Sequence, residues 1–232
     1  MRVEINLTMR CNSACVNCNR LCNILKDRTE DMTPSQVSKF VGQCLENPGR
    51  VRRVKVVGGE PLLNPQFDEI VQILADGISK KAFQKVVIGT NGILECDQSQ
   101  YPGVTFRTSS QRRKKHIPYL WSPIDLGLPI KTCRMPFSCG VSLDKFGYLP
   151  CSAAIMIARG FELEGLYKKE LPKKVLWGMD DLCKHCVHAL PREWKNTHSY
   201  KVTTTPKEAK KPTPEWKQAL DHIRTWKPID TF

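Results

Sequence analysis

The chain has 232 residues, 41% of them apolar, with 36 basic against 23 acidic side chains and a formal charge of +13. That length supports one substantial core, or one core plus a small satellite held by something other than burial. No apolar run approaches the roughly 20 residues that a membrane span needs, and Met1-Arg2-Val3-Glu4-Ile5-Asn6 lacks the apolar centre of a secretory signal. A soluble cytoplasmic protein with no membrane partner is expected. The charge favours encounter with an anion such as a phosphorylated metabolite, nucleotide or nucleic acid.

Along the chain, the first half alternates strand and helix signals, the pattern of a parallel sheet covered by crossover helices. Arg2–Thr8 places Val3, Ile5 and Leu7 on one face of a first strand, which leads directly into a cysteine-bearing loop. Thr33-Pro34 has the cap-then-proline form of a helix start. Val37, Phe40, Val41, Cys44 and Leu45 form that helix's apolar stripe, so Cys44 is expected in the core.

A second strand, Val51–Val57, ends at Gly58-Gly59-Glu60-Pro61, and a second helix spans roughly 65–79 with Phe67, Ile70, Val71 and Leu74 at helical spacing. Lys85–Ile88 forms a third strand ending at Gly89-Thr90-Asn91-Gly92, and Val104–Thr108 a fourth. Beyond these, Arg112–His116 is a basic run and the region from Gly127 to Cys186 reads as a short hairpin-and-helix unit built around cysteines. The Thr-, Lys- and Pro-rich stretch 196–214 suits a mobile linker. It is followed by a terminal helix, Pro214–Trp226, whose Trp216, Leu220 and Ile223 would dock on the body.

Eleven cysteines in a cytoplasmic chain point to metal or redox chemistry rather than disulfides. Four lie within Cys11–Cys22, five between Cys133 and Cys186, and only Cys44 and Cys96 stand apart. Cys11, Cys15 and Cys18 have the spacing C-x3-C-x2-C: three soft donors in one loop, suited to iron–sulfur clusters and to zinc alike. Structural zinc takes four protein ligands, whereas a cubane held by three cysteines keeps one iron open. Cys22 extends the spacing to C-x3-C-x2-C-x3-C, which could close a zinc site or a ferredoxin-type cluster, or Cys22 could be a buried bystander.

C-x3-C-x2-C after a first strand, with Gly-Gly-Glu-Pro after the second, resembles the radical S-adenosylmethionine (SAM) superfamily, and the resemblance covers residues 1 to about 110. It implies an α/β fold, a truncated βα barrel with a small Cys-rich C-terminal auxiliary-cluster unit. It further implies a [4Fe–4S] cluster on Cys11, Cys15 and Cys18 with SAM chelated at the open iron. Gly58, Gly59, Glu60 and Pro61 would meet the amino end of SAM, with Thr90 and Asn91 as a second SAM-facing segment. Ser109, next to Ser110, stands where relatives often place a polar SAM contact, although the usual Ser-x-Asp-Gly wording is absent. Asn17 occupies a position where most members carry an aromatic residue near adenine.

Gly147-Tyr-Leu-Pro-Cys151 followed by Cys183-Lys-His-Cys186 resembles the auxiliary-cluster unit of SPASM and "twitch" radical SAM enzymes. By that resemblance Cys133, Cys151, Cys183 and Cys186 hold a second [4Fe–4S] cluster and Cys139 is spare. A four-thiolate zinc ribbon is the alternative, and His185 or His188 could serve either metal. The expected units are a radical SAM core at 1–118, an auxiliary-cluster unit at 119–195, and a basic linker with a C-terminal helix at 196–232.

The implied activity is reductive cleavage of SAM to a 5′-deoxyadenosyl radical, with electrons from a small flavodoxin- or ferredoxin-type donor. That radical would take a hydrogen atom from an anionic, nucleotide or nucleic-acid-type substrate. A peptide maturase is one alternative. A zinc-stabilised, basic nucleic-acid-binding protein without catalysis is another, but it leaves the Gly-Gly-Glu-Pro turn after the three-cysteine loop unexplained.

Overall fold

A computed structural model describes residues 1–108, 115–131, 133–201, 207–227 and 230–232. Ser109, Ser110 and Arg112–Lys114, named above, lie outside the described residues.

Strand β1 (Arg2–Asn6) is flanked on one side by β2 (Arg53–Val57), β3 (Lys85–Thr90) and β4 (Val104–Thr108), all parallel. Helices α1 (Pro34–Glu46) and α2 (Phe67–Ser79) make the crossovers. Val3, Ile5, Val54, Val56, Val86 and Ile88 point to one face and pack with Phe40, Ile70 and Leu74 into a closed apolar core. Thr33 caps α1 reciprocally: its Oγ1 accepts from Gln36 N at 3.3 Å, and its own N donates to Gln36 Oε1 at 3.0 Å. Cys44 is fully buried as expected, whereas Leu45 is 41% exposed. The apolar stripe of α1 therefore ends one residue earlier than its sequence suggests.

On the other side of β1 lies β6 (Val141–Asp144), also parallel to it, joined by a hairpin to antiparallel β7 (Gly147–Leu149). The sheet therefore runs across the 118/119 boundary expected from sequence. Every residue of both hairpin strands is buried, Ser142 and Asp144 included, and β1 supplies the neighbour that β6 needs. Gly147 makes this hairpin possible with φ +131°, and a Cβ there would lie 2.5 Å from Lys168 O.

A short strand β5 (Lys115–His116) precedes the hairpin, as does a single turn, α3 (Met135–Ser138). Helices α4 (Ala154–Gly160), α5 (Met179–Cys183), α6 (Arg192–Thr197) and α7 (Pro214–Thr225) build a second core around Met156, Leu182, Trp216 and Ile223. Trp216, Leu220 and Ile223 are buried there, so the terminal helix docks as its stripe implies. The described part of 196–214 is not a free linker: Tyr200–Lys201 forms β8, antiparallel to β5, and Lys211 O accepts from Trp121 Nε1 at 2.8 Å. Backbone pairing and an indole anchor override a composition that reads as solvated. Among the described residues no helix is long and apolar enough to cross a membrane.

Candidate active site

The loop after β1 lies between the two cores. Its base is fixed by Asp31, which accepts from Thr8 Oγ1 at 2.6 Å and Arg10 Nε at 2.9 Å. Cys11, Cys15 and Cys18 then line a cavity of about 540 Å³ together with Gly58, Gly59, Thr90 and Asn91. Tyr119 and His188 also line it, as does the second face of the sheet through Arg53, Lys55, Val57, Gly89 and Arg107.

The two glycines are set by close approach. A Cβ on Gly59 would sit 2.1 Å from Arg10 O and 2.8 Å from Cys11 Cβ, and one on Gly58 would sit 2.6 Å from Thr8 O. Their backbone zips onto the cysteine loop, with Gly59 N donating to Thr8 O at 2.8 Å and Glu60 N to Arg10 O at 2.7 Å. Glu60 is fully buried and does not line the cavity; its carboxylate accepts from Asn91 N at 2.7 Å and Leu62 N at 3.3 Å. Pro61 opens a one-turn 3-10 helix beneath it. Glu60 thereby ties the end of β2 to the end of β3. Asn91 Nδ2 continues the tie to Asn12 Oδ1 in the cysteine loop at 2.8 Å.

Thiol chemistry within the loop is uneven. Cys18 is brought down to about 6, first by a hydrogen bond from the Cys22 thiol, with the Arg20 guanidinium assisting and burial opposing. Cys22 is raised correspondingly, packs into the second core, and does not line the cavity. Cys11 is raised, chiefly by burial. Arg20 crosses behind the loop, donating to Asn6 Oδ1 and, at 2.7 Å, to Glu4 Oε1; Lys55 Nζ reaches Glu4 Oε2 at 2.9 Å. Two wall atoms, Asn17 Nδ2 and Arg53 Nε, are buried without a partner.

Cys133, Cys151, Cys183 and Cys186 line a second, small apolar hole. Cys139 is elsewhere, in a groove with Arg2 and Ser138. Burial pushes Cys151 up to about 12 and Cys183 up to about 11, and raises Cys186 well above the ordinary thiol range. Thiols gathered without a neighbouring cation stay protonated unless a metal supplies the positive charge. Among the described residues no three Cys, His, Asp or Glu side chains close around the position of a single ion; the thiols line cavity walls instead.

His188 lines both cavities, and burial, followed by nearby Lys195, lowers it to about 4, so it is neutral near pH 7. His185 is engaged away from both cavities, paired with Glu215 at 3.1 Å and stacked on Phe161 at 3.8 Å. The sequence reading missed Arg20, Arg53, Lys55, Arg107 and Tyr119 as cavity-lining residues, and did not place His188 in the first cavity. A signal was present: Glu4, Asn6, Arg53 and Lys55 alternate with the valines and isoleucine of strands that a parallel sheet covers on both faces. Polar residues at such positions imply an internal site.

The site and sheet define a cysteine-loop α/β domain, and residues 5–98 match the model of the Radical SAM superfamily. The truncated α/β barrel expected from the sequence agrees with that match and with the parallel sheet. Among curated relatives, a protein named "Probable GTP 3′,8-cyclase" from Methanopyrus kandleri is 35% identical over 95 residues, covering 41% of this chain and 28% of that one. Another of that name, from Methanococcus maripaludis, is 32% identical over 165 residues, covering 60% and 51%. The matched segments thus span only about a quarter to a half of those proteins. A solved structure of BtrN with AdoMet and 2-DOIA aligns at 17% identity and TM-score 0.47, covering 80% of this chain and 92% of that one.

Proposed function

We propose that this chain is a cytoplasmic radical SAM enzyme, with Cys11, Cys15 and Cys18 holding a [4Fe–4S] cluster beside SAM, and that it takes a hydrogen atom from an anionic, nucleotide-type substrate. When bound and reduced by a flavodoxin- or ferredoxin-type donor, the cluster and SAM supply a 5′-deoxyadenosyl radical. The observation carrying this reading is that three cysteine thiols and the Gly58–Gly59 backbone share one cavity wall at the carboxyl ends of parallel strands, where such sheets bind ligands.

The chain's own residues have separable tasks. Gly58 and Gly59 let backbone come within contact of a ligand's amino end. Thr90 and Asn91 present polar atoms on the adjoining strand end, and Asn17 offers an amide with no internal partner. Glu60 acts through Asn91, as a positioning residue. Arg53, Lys55 and Arg107 give the cavity a cationic floor that suits an anionic substrate, while Tyr119 and His188 cover it from the side of the second core.

Cys133, Cys151, Cys183 and Cys186 are the ligands we assign to a second cluster. The support is their common hole and the elevated thiols of Cys151, Cys183 and Cys186, which a metal would relieve. In functional terms residues 1–118 supply the SAM site, 119–195 the second cluster, and 196–232 a basic segment with the C-terminal helix.

Anaerobic reconstitution with iron and sulfide, then incubation with SAM and dithionite, tests the proposal. Brown protein that releases 5′-deoxyadenosine is expected. Colourless zinc protein, or a first cluster whose spectra show Cys22 as a fourth ligand, would overturn it.

A further inference from the structure

Three aromatic rings gather near the surface of the second core. Trp194, on α6, and His198, which follows that helix, stack at 4.1 Å and 8°, and Trp121 packs against Trp194 at 5.6 Å. All three are only partly buried. Trp121 Nε1 donates to Lys211 O at 2.8 Å, and Thr213 N to Leu120 O at 3.0 Å, so the lysine-bearing stretch 207–211 is pinned against the rings. Arg192, Lys210 and Lys211 are exposed, and among the described residues none of them forms an ion pair. The acids of these stretches, Glu193 and Glu208, are outnumbered by Arg192, Lys195, Lys207, Lys210 and Lys211. Partly exposed rings set among unpaired cations combine the two forces that hold unpaired nucleic-acid strands, base stacking and phosphate attraction.

The rings are also tied to the rim of the main cavity. His116 of β5 lines that cavity and stands opposite Tyr200 of β8, two residues beyond His198. Lys195 Nζ, on α6 beside Trp194, donates at 2.8 Å to the carbonyl of His188, another cavity residue. Tyr119 lines the cavity too, and Trp121 lies at most about 7 Å further along the backbone. That separation is short enough for neighbouring nucleotides of one strand to reach both places.

We infer that Trp121, Trp194 and His198, flanked by Arg192, Lys210 and Lys211, form a platform for single-stranded nucleic acid, on which bases stack and phosphates are held while a neighbouring nucleotide enters the cavity. The substrate is then a nucleotide within a strand, because a free nucleotide cannot occupy cavity and platform together. This rests on the proposed function only for the fate of the nucleotide inside; the platform needs neither cluster nor SAM to bind. Stacking on a side chain requires an unpaired base, since a base inside a duplex already has neighbours on both faces. It is also tolerant of sequence, because every base offers a π-face.

The test is fluorescence anisotropy of a labelled single-stranded oligonucleotide, about 12 nucleotides long, titrated with the anaerobically reconstituted full chain. Trp194→Leu keeps apolar bulk without the ring and should weaken binding at least about 5-fold, whereas Trp194→Phe retains most of it. Lys210→Gln combined with Lys211→Gln should lower the slope of log affinity against log salt by about 1.4, the loss of two single-strand phosphate contacts. Lys80→Gln, exposed at the end of α2, should change nothing. A duplex of the same sequence, and polyphosphate as a polyanion without bases, should compete weakly. Failure of the oligonucleotide to bind, equal competition by duplex or polyphosphate, or affinity indifferent to Trp194→Leu overturns the platform. Lys210 and Lys211 are exposed, so their variant folds even if Trp194→Leu does not, and an unchanged salt slope is equally fatal. Assaying 5′-deoxyadenosine in the same samples keeps the two readings apart: SAM cleavage without oligonucleotide binding sinks the platform alone, and oligonucleotide binding without SAM cleavage sinks the radical assignment alone.

Discussion

Gly59→Ala is the sharpest test of how the cysteine loop is held. The added methyl would lie 2.1 Å from Arg10 O, 2.7 Å from Arg10 C and 2.8 Å from Cys11 Cβ. Backbone, not a flexible side-chain end, is the obstacle, so the two segments must separate by more than an ångström. Overpacking of this kind costs about 1–3 kcal/mol. The separation also stretches the hydrogen bonds Gly59 N to Thr8 O and Glu60 N to Arg10 O, each contributing about 1 kcal/mol. A total of about 3–5 kcal/mol corresponds to roughly 6–20 °C in Tm for a chain of this size. Cys11 moves with Arg10, so iron uptake at the first site should fall alongside stability. Thermal melts of the apoprotein and iron analysis after reconstitution measure the two effects. Gly42→Ala is the control: its Cβ meets nothing within 4 Å in the middle of α1, and the change should raise stability by about 0.5–1 kcal/mol. A Gly59→Ala protein that melts and loads iron like the wild type would refute the close-approach argument.

Further outcomes follow from the same geometry. Cys151→Ala should remove roughly four irons per chain while Cys139→Ala leaves the content unchanged, as iron and sulfide analysis of the reconstituted variants will show; equal losses would overturn the ligand assignment. Glu60→Gln should cost about 1–3 kcal/mol, because an amide N–H₂ can face the Asn91 N–H in place of a carboxylate oxygen; a melt matching the wild type would contradict the tie between β2 and β3. For Glu4, burial works to raise the carboxyl, but Arg20 and Lys55 outweigh it and hold it below its ordinary value of 4.5. The folded state therefore binds fewer protons than the unfolded one. Its contribution is complete above about pH 4.5 and is lost as pH falls through the folded value. Denaturant titrations of apoprotein between pH 6 and pH 3 should show this decline in the wild type, and Glu4→Gln should flatten it while lowering stability at pH 6 by about 3–5 kcal/mol.

Much of the first half was legible because local and tertiary demands agree there. Val3, Ile5, Val54 and Val56 alternate, Thr33-Pro34 starts a helix, and glycines stop the strands where the ligand edge begins. Cys133, Cys151, Cys183 and Cys186 could be grouped by sequence, and the fold brings them to one hole while leaving Cys139 outside. The cationic floor was harder to read. Arg53 and Lys55 look like ordinary solvent-facing positions of a half-buried strand until the second core is known to cover that face. The role of Glu60 was equally hidden, since a carboxylate after two glycines looks ligand-facing, and only the fold reveals the Asn91 N–H waiting for it. Tyr200–Lys201 was obscured by composition, because pairing with Lys115–His116 depends on a partner 85 residues away.

The pairing of β1 with both β2 and β6 has a consequence for biogenesis. As the nascent polypeptide emerges, β1 to β4 can assemble early, but the first strand remains an open edge until residues 141–144 arrive. During that interval the backbone N–H and C=O of Glu4, which face away from β2, are available to another chain, an invitation to intermolecular strand addition. A fragment ending at residue 118 would keep that edge permanently and should aggregate, whereas one ending after the hairpin at Leu149 closes it.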